Sequence, residues 1–217
     1  VGAEKHSFGL DLSTRGRNVS VIFGDGAGAV VLQPTDQSSG SGKNQGILST
    51  HLHSDGESAE ILAMYNPGTH ANHWTGEHKL ADFKDAEIGE MFMSHEMIDN
   101  AQNFPNMDGP AVFKVAVEKF PQVIREALAK NNLETSDLNM LIPHQANLRI
   151  SQFVQKKLGL RDDQVYNNIM QYGNTTAASV PIALCEAWEK GLVKEGDLVC
   201  LAAFGSGFTW ASALLRW

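Results

Sequence analysis

Cysteine is scarce in this chain of 217 residues, which contains only Cys185 and Cys200. Neither belongs to a CxxC pair, so we expect neither a zinc site nor a disulfide framework. Each lies within an apolar stretch, which predicts two reduced thiols in the core. No apolar run is long enough to cross a membrane, and no signal-peptide pattern opens the chain. We therefore expect a cytoplasmic location.

Basic residues are also relatively few. The 17 Lys and Arg residues are outnumbered by 25 Asp and Glu residues, and the formal net charge is -8. Because nucleic acids are bound mainly through clustered Lys and Arg, we do not expect a nucleic acid as the main partner. The length allows one domain or two small ones. The chain opens Val1-Gly2-Ala3-Glu4 without a Met, which suggests a piece of something longer.

Histidine is more frequent, but its pattern does not favour a metal site. No HExxH arrangement occurs, so we expect the histidines outside the predicted site to be surface or core residues, with no metal bound. The six that raise the question of a metal site are His51, His53, His70, His73, His78 and His95.

Apolar periodicity predicts helices that alternate with buried strands, which is typical of a layered α/β fold. A glycine-rich turn at residues 24–29 separates the first two predicted strands. Residues 65–106 are the least regular stretch, and we interpret them as an insertion made of a loop and a short helix. We expect strands at residues 19–23, 30–32, 47–53, 138–142, 198–204 and 209–215, and helices at 111–128, 150–158 and 180–190.

His144 follows a predicted buried strand and opens a helix. Ligands in open α/β sheets gather beyond the carboxyl ends of strands. A helix N-terminus disfavours positive charge, so the imidazole should stay neutral and could donate one hydrogen bond to a developing oxyanion. A capping or structural His is the plainer alternative, and the residue alone does not decide between them.

Two further turns carry uncharged hydrogen-bond donors. Asn174 has a side-chain amide in a run of small residues, and the turn at residues 204–208 could aim backbone N–H groups at an anion. Taken singly, a helix cap and an ordinary hairpin turn are the better interpretations. Together with His144, the three turns predict a site that suits an enolate or a tetrahedral oxyanion but lacks an obvious nucleophile.

Four sequence motifs carry a family resemblance. Residues 143–150, PHQANLRI, resemble the histidine motif of β-ketoacyl-acyl carrier protein synthase III. Residues 173–181, GNTTAASVP, are similar to its asparagine motif, and residues 204–210, FGSGFTW, to its C-terminal glycine motif. Residues 23–29, FGDGAGA, resemble the segment that ends its N-terminal half. The resemblance covers nearly the whole chain except the insertion.

The resemblance implies the thiolase fold, an α/β layered fold of two similar halves. Residues 1–35 are then the end of the N-terminal half, and residues 46–217 form the C-terminal half, with the insertion at about 65–106. The catalytic Cys of the family lies in the first half, so it is expected upstream of Val1. A homodimer is also expected. The insertion would either line a longer acyl channel or pack against the dimer partner.

The implied reaction is a decarboxylative Claisen condensation in fatty-acid synthesis. An acyl-CoA starter acylates the upstream Cys, and malonyl-acyl carrier protein then loses carbon dioxide to give the attacking enolate. His144 and Asn174 hold the thioester oxygen, and the Ser206 amide completes the oxyanion hole. CoA and phosphopantetheine thioesters are substrates, and no cofactor is implied. We expect this chain alone to be inactive in condensation.

The resemblance extends to binding residues. Phe113 and Asn147 would line the pantetheine tunnel, and Arg17 would lie near the CoA nucleotide. Lys114 and Arg149 would form part of the dock for the acidic acyl carrier protein, whose charge a local basic patch complements. Lys156 and Lys157 are candidate outer charges of this dock, but a solvated helix face is the better interpretation for these two.

Two other functions remain open. A non-catalytic thiolase-fold partner subunit would keep the fold and the dimer interface without chemistry, although the presence of both His144 and Asn174 argues against it. A Cys-His-Asn hydrolase that uses Cys185 or Cys200 is the weaker alternative, because thiols within apolar elements have raised pKa values.

Overall fold

The computed structural model describes residues 1–34, 45–64 and 95–217. Most of the predicted insertion, residues 65–94, lies outside the described residues. Short 3₁₀ turns occur at His6–Phe8, Gly56–Ile61, Thr135–Asp137, Asp162–Gln164 and Thr176–Ala178. The other elements are β1 (Gly2–Glu4), α1 (Arg17–Ser20), β2 (Gly26–Gly28), β3 (Gly46–Ser54), β4 (Leu62–Ala63), α2 (His95–Asp99), β5 (Asn106–Met107), α3 (Gly109–Lys130), β6 (Met140–Pro143), α4 (Leu148–Leu158), α5 (Ile169–Tyr172), α6 (Ser179–Glu189), β7 (Leu198–Gly205) and β8 (Thr209–Arg216).

A four-stranded mixed sheet in the order β3-β8-β7-β6 forms the centre of the structure. β6 and β7 are parallel, and the other pairs are antiparallel. Successive side chains of a strand point to opposite faces, and both faces of β6 are buried. Leu141 belongs to the apolar cluster on the α3 and α4 side, whereas Met140 and Ile142 pack with α6 on the other. The predicted α/β layering is confirmed.

α3 is the long helix that covers one face of the sheet. It begins after Asp108, whose side chain accepts a hydrogen bond from the Ala111 backbone N–H at 3.1 Å, and this N-cap satisfies one of the free amides of the first turn. Its inward face carries apolar side chains at helical spacing. The fully buried ones are Ala116, Val123, Ile124 and Ala127. Burial of this stripe explains why the helix forms where the periodicity predicted it.

The longer strands and helices from residue 46 onward follow the sequence prediction closely, whereas the short elements β4, β5 and α5 were not predicted. The strands expected at 47–53, 138–142, 198–204 and 209–215 correspond to β3, β6, β7 and β8, and the three expected helices correspond to α3, α4 and α6. α4 ends at Gly159, whose φ of 70° places it in the left-handed region that glycine adopts without strain. Within the described ranges, no helix has both the length and the apolarity to span a bilayer.

The two strands predicted near the start of the chain are wrong. Part of residues 19–23 belongs to the short helix α1, and residues 30–32 form no strand. Instead the glycine-rich segment itself is strand β2, which pairs antiparallel with β1. β2 lies so close to α6 that a Cβ at Gly28 would come within 2.6 Å of the Pro181 Cγ. This close approach, which only glycine permits, outweighs the strand preference of the flanking β-branched residues.

The prediction of two core thiols is right for one cysteine and wrong for the other. Cys200 is fully buried in β7, but Cys185 is exposed on α6. The inward face of α6 is formed by small residues four positions apart, Ser179, Ala183 and Ala187. Because α6 is apolar along much of its length, the sequence does not reveal which face is buried, and Cys185 lies outside the inward one.

Candidate active site

His144 follows the last residue of β6 and is held by contacts on both sides. Its backbone N–H donates to the Ala202 carbonyl of β7 at 2.7 Å. Its ring Nδ1 lies 2.6 Å from the Ser179 Oγ at the start of α6. One side of the ring opens to a cavity, so the residue is half-buried. Burial nevertheless lowers the pKa of His144 to about 4, and the imidazole is therefore neutral near pH 7.

Asn174 is buried, and its side-chain amide has a fixed orientation. The Thr176 backbone N–H donates to its Oδ1 at 2.8 Å, and only the oxygen of the amide can accept that bond. The backbone of Asn174 is tied to Ile22, whose carbonyl accepts its N–H at 2.9 Å. The Nδ2 group forms no hydrogen bond with any of the described residues and remains available to a ligand.

Ser206 lies in the turn between β7 and β8. Its hydroxyl donates to the Leu62 carbonyl at 2.5 Å, which ties the glycine turn to strand β4. Its own carbonyl accepts a hydrogen bond from the Thr209 hydroxyl at 2.9 Å. These contacts occupy the side chain and the carbonyl, so the backbone amide is the donor of Ser206 that could serve a ligand.

These three residues line one cavity of about 1520 Å³. The cavity runs between the sheet, α3, α4 and the turns that follow β6 and β7. Of the residues assigned by the resemblance to binding, the cavity also includes Phe113, Asn147 and Arg149. The structure thus brings together six of the predicted residues, while the catalytic and binding roles given to them stay predictions.

Two predicted residues lie outside the cavity lining. Arg17 is exposed in α1, and its neighbour Asn18 lines the cavity in its place. Lys114 is exposed on α3 beside Phe113. Their assignments to the CoA nucleotide and to the carrier-protein dock remain predictions.

Gln145 is a residue that the sequence analysis left without a role. It is buried, its Nε2 donates to the Pro143 carbonyl at 2.7 Å, and its Oε1 accepts from the backbone N–H groups of Asn168 at 3.0 Å and Ile169 at 3.1 Å. The side chain therefore clamps the His144 turn to the segment that precedes α5. The two partners of its Oε1 lie more than twenty positions away, so no local signal could have revealed this clamp.

A second polar group lies at the β3 side of the cavity. His53 stacks on Trp210 with ring centroids 5.5 Å apart, and its Nε2 lies 2.6 Å from a carboxylate oxygen of Glu126. Hydrogen bonding from His53 lowers the pKa of Glu126. Both His53 and Trp210 line the cavity, and the alternating pattern of β3 gave no indication of this placement.

A metal cluster is absent from the described part of the chain. No group of three or more His, Cys, Asp or Glu side chains there could hold a metal ion. His95 is exposed in α2, while His70, His73 and His78 lie outside the described residues.

Comparison with known proteins identifies the family. The model of the 3-oxoacyl-(acyl-carrier-protein) synthase III C terminal matches residues 128–217, and the model of 3-oxoacyl-(acyl-carrier-protein) synthase III matches residues 1–56. The chain belongs to the ketoacyl synthase III family. This result confirms the resemblance carried by the histidine, asparagine and glycine motifs.

Two curated relatives illustrate the match to this family. Beta-ketoacyl-(acyl-carrier-protein) synthase III of Clostridium tetani is 42% identical over 201 residues, which are 93% of this chain and 54% of the relative. The synthase III of Sulfurovum sp. is 40% identical over 215 residues, 99% of this chain and 55% of the relative. The chain thus spans about half the length of the curated relatives it matches.

Solved structures of synthase III proteins confirm the thiolase-like layered fold. The protein from Aquifex aeolicus VF5 superposes with a TM-score of 0.77 at 36% identity. The match covers 100% of this chain and 56% of the Aquifex chain. The protein from Pseudomonas aeruginosa PAO1 gives a TM-score of 0.77 at 34% identity with the same coverage.

The lowered pKa of His144 predicts a specific dependence of stability on pH. Between pH 6.5 and 4, the unfolded chain binds a proton at His144 that the folded chain does not, so stability falls as pH falls through this window. The loss amounts to at most about 3 kcal/mol and does not grow further below pH 4. Urea unfolding at pH 7.5 and pH 4.5 should show a smaller loss for His144→Gln than for the unchanged protein. Equal losses would mean that His144 titrates normally in the folded state.

Proposed function

We propose that this chain supplies the enolate-stabilising part of a ketoacyl synthase III site. The reaction is the decarboxylative Claisen condensation of an acyl-CoA starter with malonyl-acyl carrier protein in fatty-acid synthesis. One observation carries the proposal: a neutral imidazole and an amide of fixed orientation, His144 and Asn174, line the same large cavity. The names of the relatives support the same class of acyl transfer.

The donors act on the malonyl thioester. When the carboxylate leaves as carbon dioxide, the electron pair of the broken carbon–carbon bond passes into the thioester, whose oxygen becomes an enolate oxygen. N–H groups of His144 and Asn174 hold that oxygen. Preorganised donors of this kind are worth about 3 kcal/mol each where charge develops. A neutral ring serves better than an imidazolium, because a weakly acidic N–H stabilises the enolate without protonating it.

The second half of the reaction needs an acylated thiol. The enolate carbon attacks the acyl carbonyl, the Ser206 amide stabilises the tetrahedral oxyanion, and the thiolate departs as the ketone reforms. Neither cysteine of this chain lines the cavity. Burial raises the pKa of Cys200 to about 12, and the Glu189 carboxylate raises the pKa of the exposed Cys185.

We therefore infer that the nucleophilic Cys belongs to polypeptide outside this chain, as the N-terminal half of the family would provide it. In that arrangement residues 1–35 end the first half, and residues 46–217 form the second. This chain alone then does not condense acyl-CoA with malonyl-acyl carrier protein. We also propose a homodimeric enzyme of the cytoplasm.

The inertness of the two cysteines can be measured directly. Incubation of this chain with acyl-CoA at pH 7 should leave both thiols free of acyl groups, since neither forms a thiolate readily and neither reaches the cavity. Intact-mass spectrometry followed by peptide mapping reports the outcome. Stoichiometric acylation of Cys185 or Cys200 at rates typical of enzymes would contradict the proposal of an outside nucleophile.

The donor role predicts a split between the two stages of the reaction. In the active enzyme that contains this chain, Asn174→Asp keeps an oxygen for the Thr176 N–H but removes the donor. His144→Ala removes the imidazole together with its N–H donor. Each change should lower malonyl-thioester decarboxylation about 100- to 1000-fold, while acyl transfer from acyl-CoA to the thiol changes far less.

His95→Gln is the control, because His95 is exposed on α2 and does not line the cavity. This variant should behave as the unchanged enzyme. Decarboxylation that survives both His144→Ala and Asn174→Asp would instead support the non-catalytic partner subunit.

A local basic patch supports docking of an acidic carrier protein. Lys114 on α3 and Arg149 on α4 are both exposed, and within the described ranges neither forms an ion pair with an acidic side chain. α3 and α4 pack against each other, and Phe113 contacts Phe153 across them with ring centroids 6.1 Å apart. The two charges therefore lie beside residues that line the cavity, where a carrier would deliver its thioester.

Lys114→Ala and Arg149→Ala should each raise the KM for malonyl-acyl carrier protein roughly two- to fivefold, as expected for one exposed ion pair. The effect should shrink with added salt. The KM for malonyl-CoA, which lacks the carrier protein, should change less. Lys130→Ala at the far end of α3 is the matched control. Identical kinetics of all three variants with the carrier protein would place the dock on another surface.

A further inference from the structure

Ser179 is the first residue of α6 and lies directly behind His144. It is 2% exposed, and its Oγ is 2.6 Å from the His144 Nδ1. The distance is short enough for a strong hydrogen bond, but the heavy atoms alone do not show which partner donates. The direction matters, because it decides which ring nitrogen of a neutral imidazole carries the proton.

The other contacts of Ser179 resolve the direction. A serine hydroxyl has one proton to donate and two lone pairs that accept. The Gln145 backbone N–H already donates to the Ser179 Oγ at 3.3 Å. Among the described residues, the hydroxyl proton has no acceptor other than the His144 Nδ1.

The reverse arrangement is unfavourable. If Nδ1 carried the proton, the Ser179 Oγ would accept from both His144 and Gln145, and its own proton would be buried without a partner. An unsatisfied buried donor costs about 1–3 kcal/mol. When the Ser179 hydroxyl donates to Nδ1, the hydroxyl, the His144 Nδ1 and the Gln145 backbone N–H all have a hydrogen-bond partner.

We propose that Ser179 is a positioning residue that holds His144 in the tautomer protonated at Nε2. The Nε2–H then points a donor at a ligand in the cavity, next to the Asn174 amide. In the other tautomer Nε2 would present a lone pair, which repels an oxygen that is gaining negative charge. The consequence for catalysis rests on the proposed function, whereas the tautomer itself does not.

Hydrogen bonds around the His144 turn hold the ring so that Nδ1 faces Ser179 and Nε2 faces the cavity. Gln145 uses its side-chain N–H and both lone pairs of its oxygen in buried contacts with Pro143, Asn168 and Ile169. The backbone N–H of His144 is bound to Ala202. The ring directly follows β6 and the hydroxyl begins α6, and these two elements are packed against each other in the core.

The tautomer can be observed directly by NMR. In the purified protein labelled with ¹⁵N-histidine at pH 7, His144 should show a protonated, pyrrole-type Nε2 and an unprotonated, pyridine-type Nδ1. The His144→Gln spectrum assigns the signals by their loss. A protonated Nδ1 in the unchanged protein would overturn the proposal, and this measurement needs no Ser179 variant to fold.

Kinetics of the active enzyme give a second test. Ser179→Ala should lower kcat for malonyl-thioester decarboxylation about tenfold with little change in KM, and Ser179→Thr, which keeps a hydroxyl, should restore most of it. Ser151→Ala is the matched control, because Ser151 is also buried in a helix but its Oγ has no partner among the described residues. Equal rates for the Ser179→Ala and Ser151→Ala variants would overturn the positioning role.

The two proposals fail in different ways. A protein with the Nε2–H tautomer but no decarboxylation activity would refute the function and leave the tautomer assignment intact. An active enzyme that depends on His144 but carries its proton on Nδ1 would refute the role of Ser179 alone.

Discussion

The contact between His144 and Ser179 joins the two elements on which the site depends. β6 delivers His144 to the carboxyl edge of the sheet, and α6 brings Ser179 against the back of the ring at 2.6 Å. The layering of α6 on β6 is therefore a condition of the proposed chemistry as well as of the core. Burial keeps the ring neutral, and the contact orients it, so that the same packing controls both charge and direction.

A polar network extends this rigidity away from the cavity. Glu186 on α6 accepts hydrogen bonds from Tyr166 at 2.8 Å, from Asn168 at 3.1 Å and also from Tyr172. These bonds, led by that of Tyr172, lower the pKa of Glu186 to about 2. Through Asn168 the network reaches Gln145 beneath the His144 turn. Donors that are held in place before the substrate arrives need no reorganisation during the reaction, which is the basis of electrostatic catalysis.

The charges around the cavity differ from the net charge of the chain. The chain is acidic overall, with a formal net charge of -8, yet the cavity donors are neutral and Arg149 lines the cavity. Neutral donors inside stabilise an anion that forms only during the reaction, whereas positive charge at the mouth attracts an anion that is present beforehand. In the proposed function, this separation allows a carrier to be bound and released without fixing the enolate too tightly.

The sequence by itself determined the four strands of the central sheet, the three long helices, the layered α/β class and the three turns that carry His144, Asn174 and Ser206. These depend on periodicity and on motifs, which are local properties. Only the tertiary structure decided that the glycine segment is a strand, that Cys185 faces outward, and that Gln145 and Ser179 support the His144 turn. Each of these depends on partners distant in sequence: Gly28 on Pro181, for example, and Ser179 on His144. Such contacts are set by packing between segments that are distant in sequence, so local sequence patterns do not predict them.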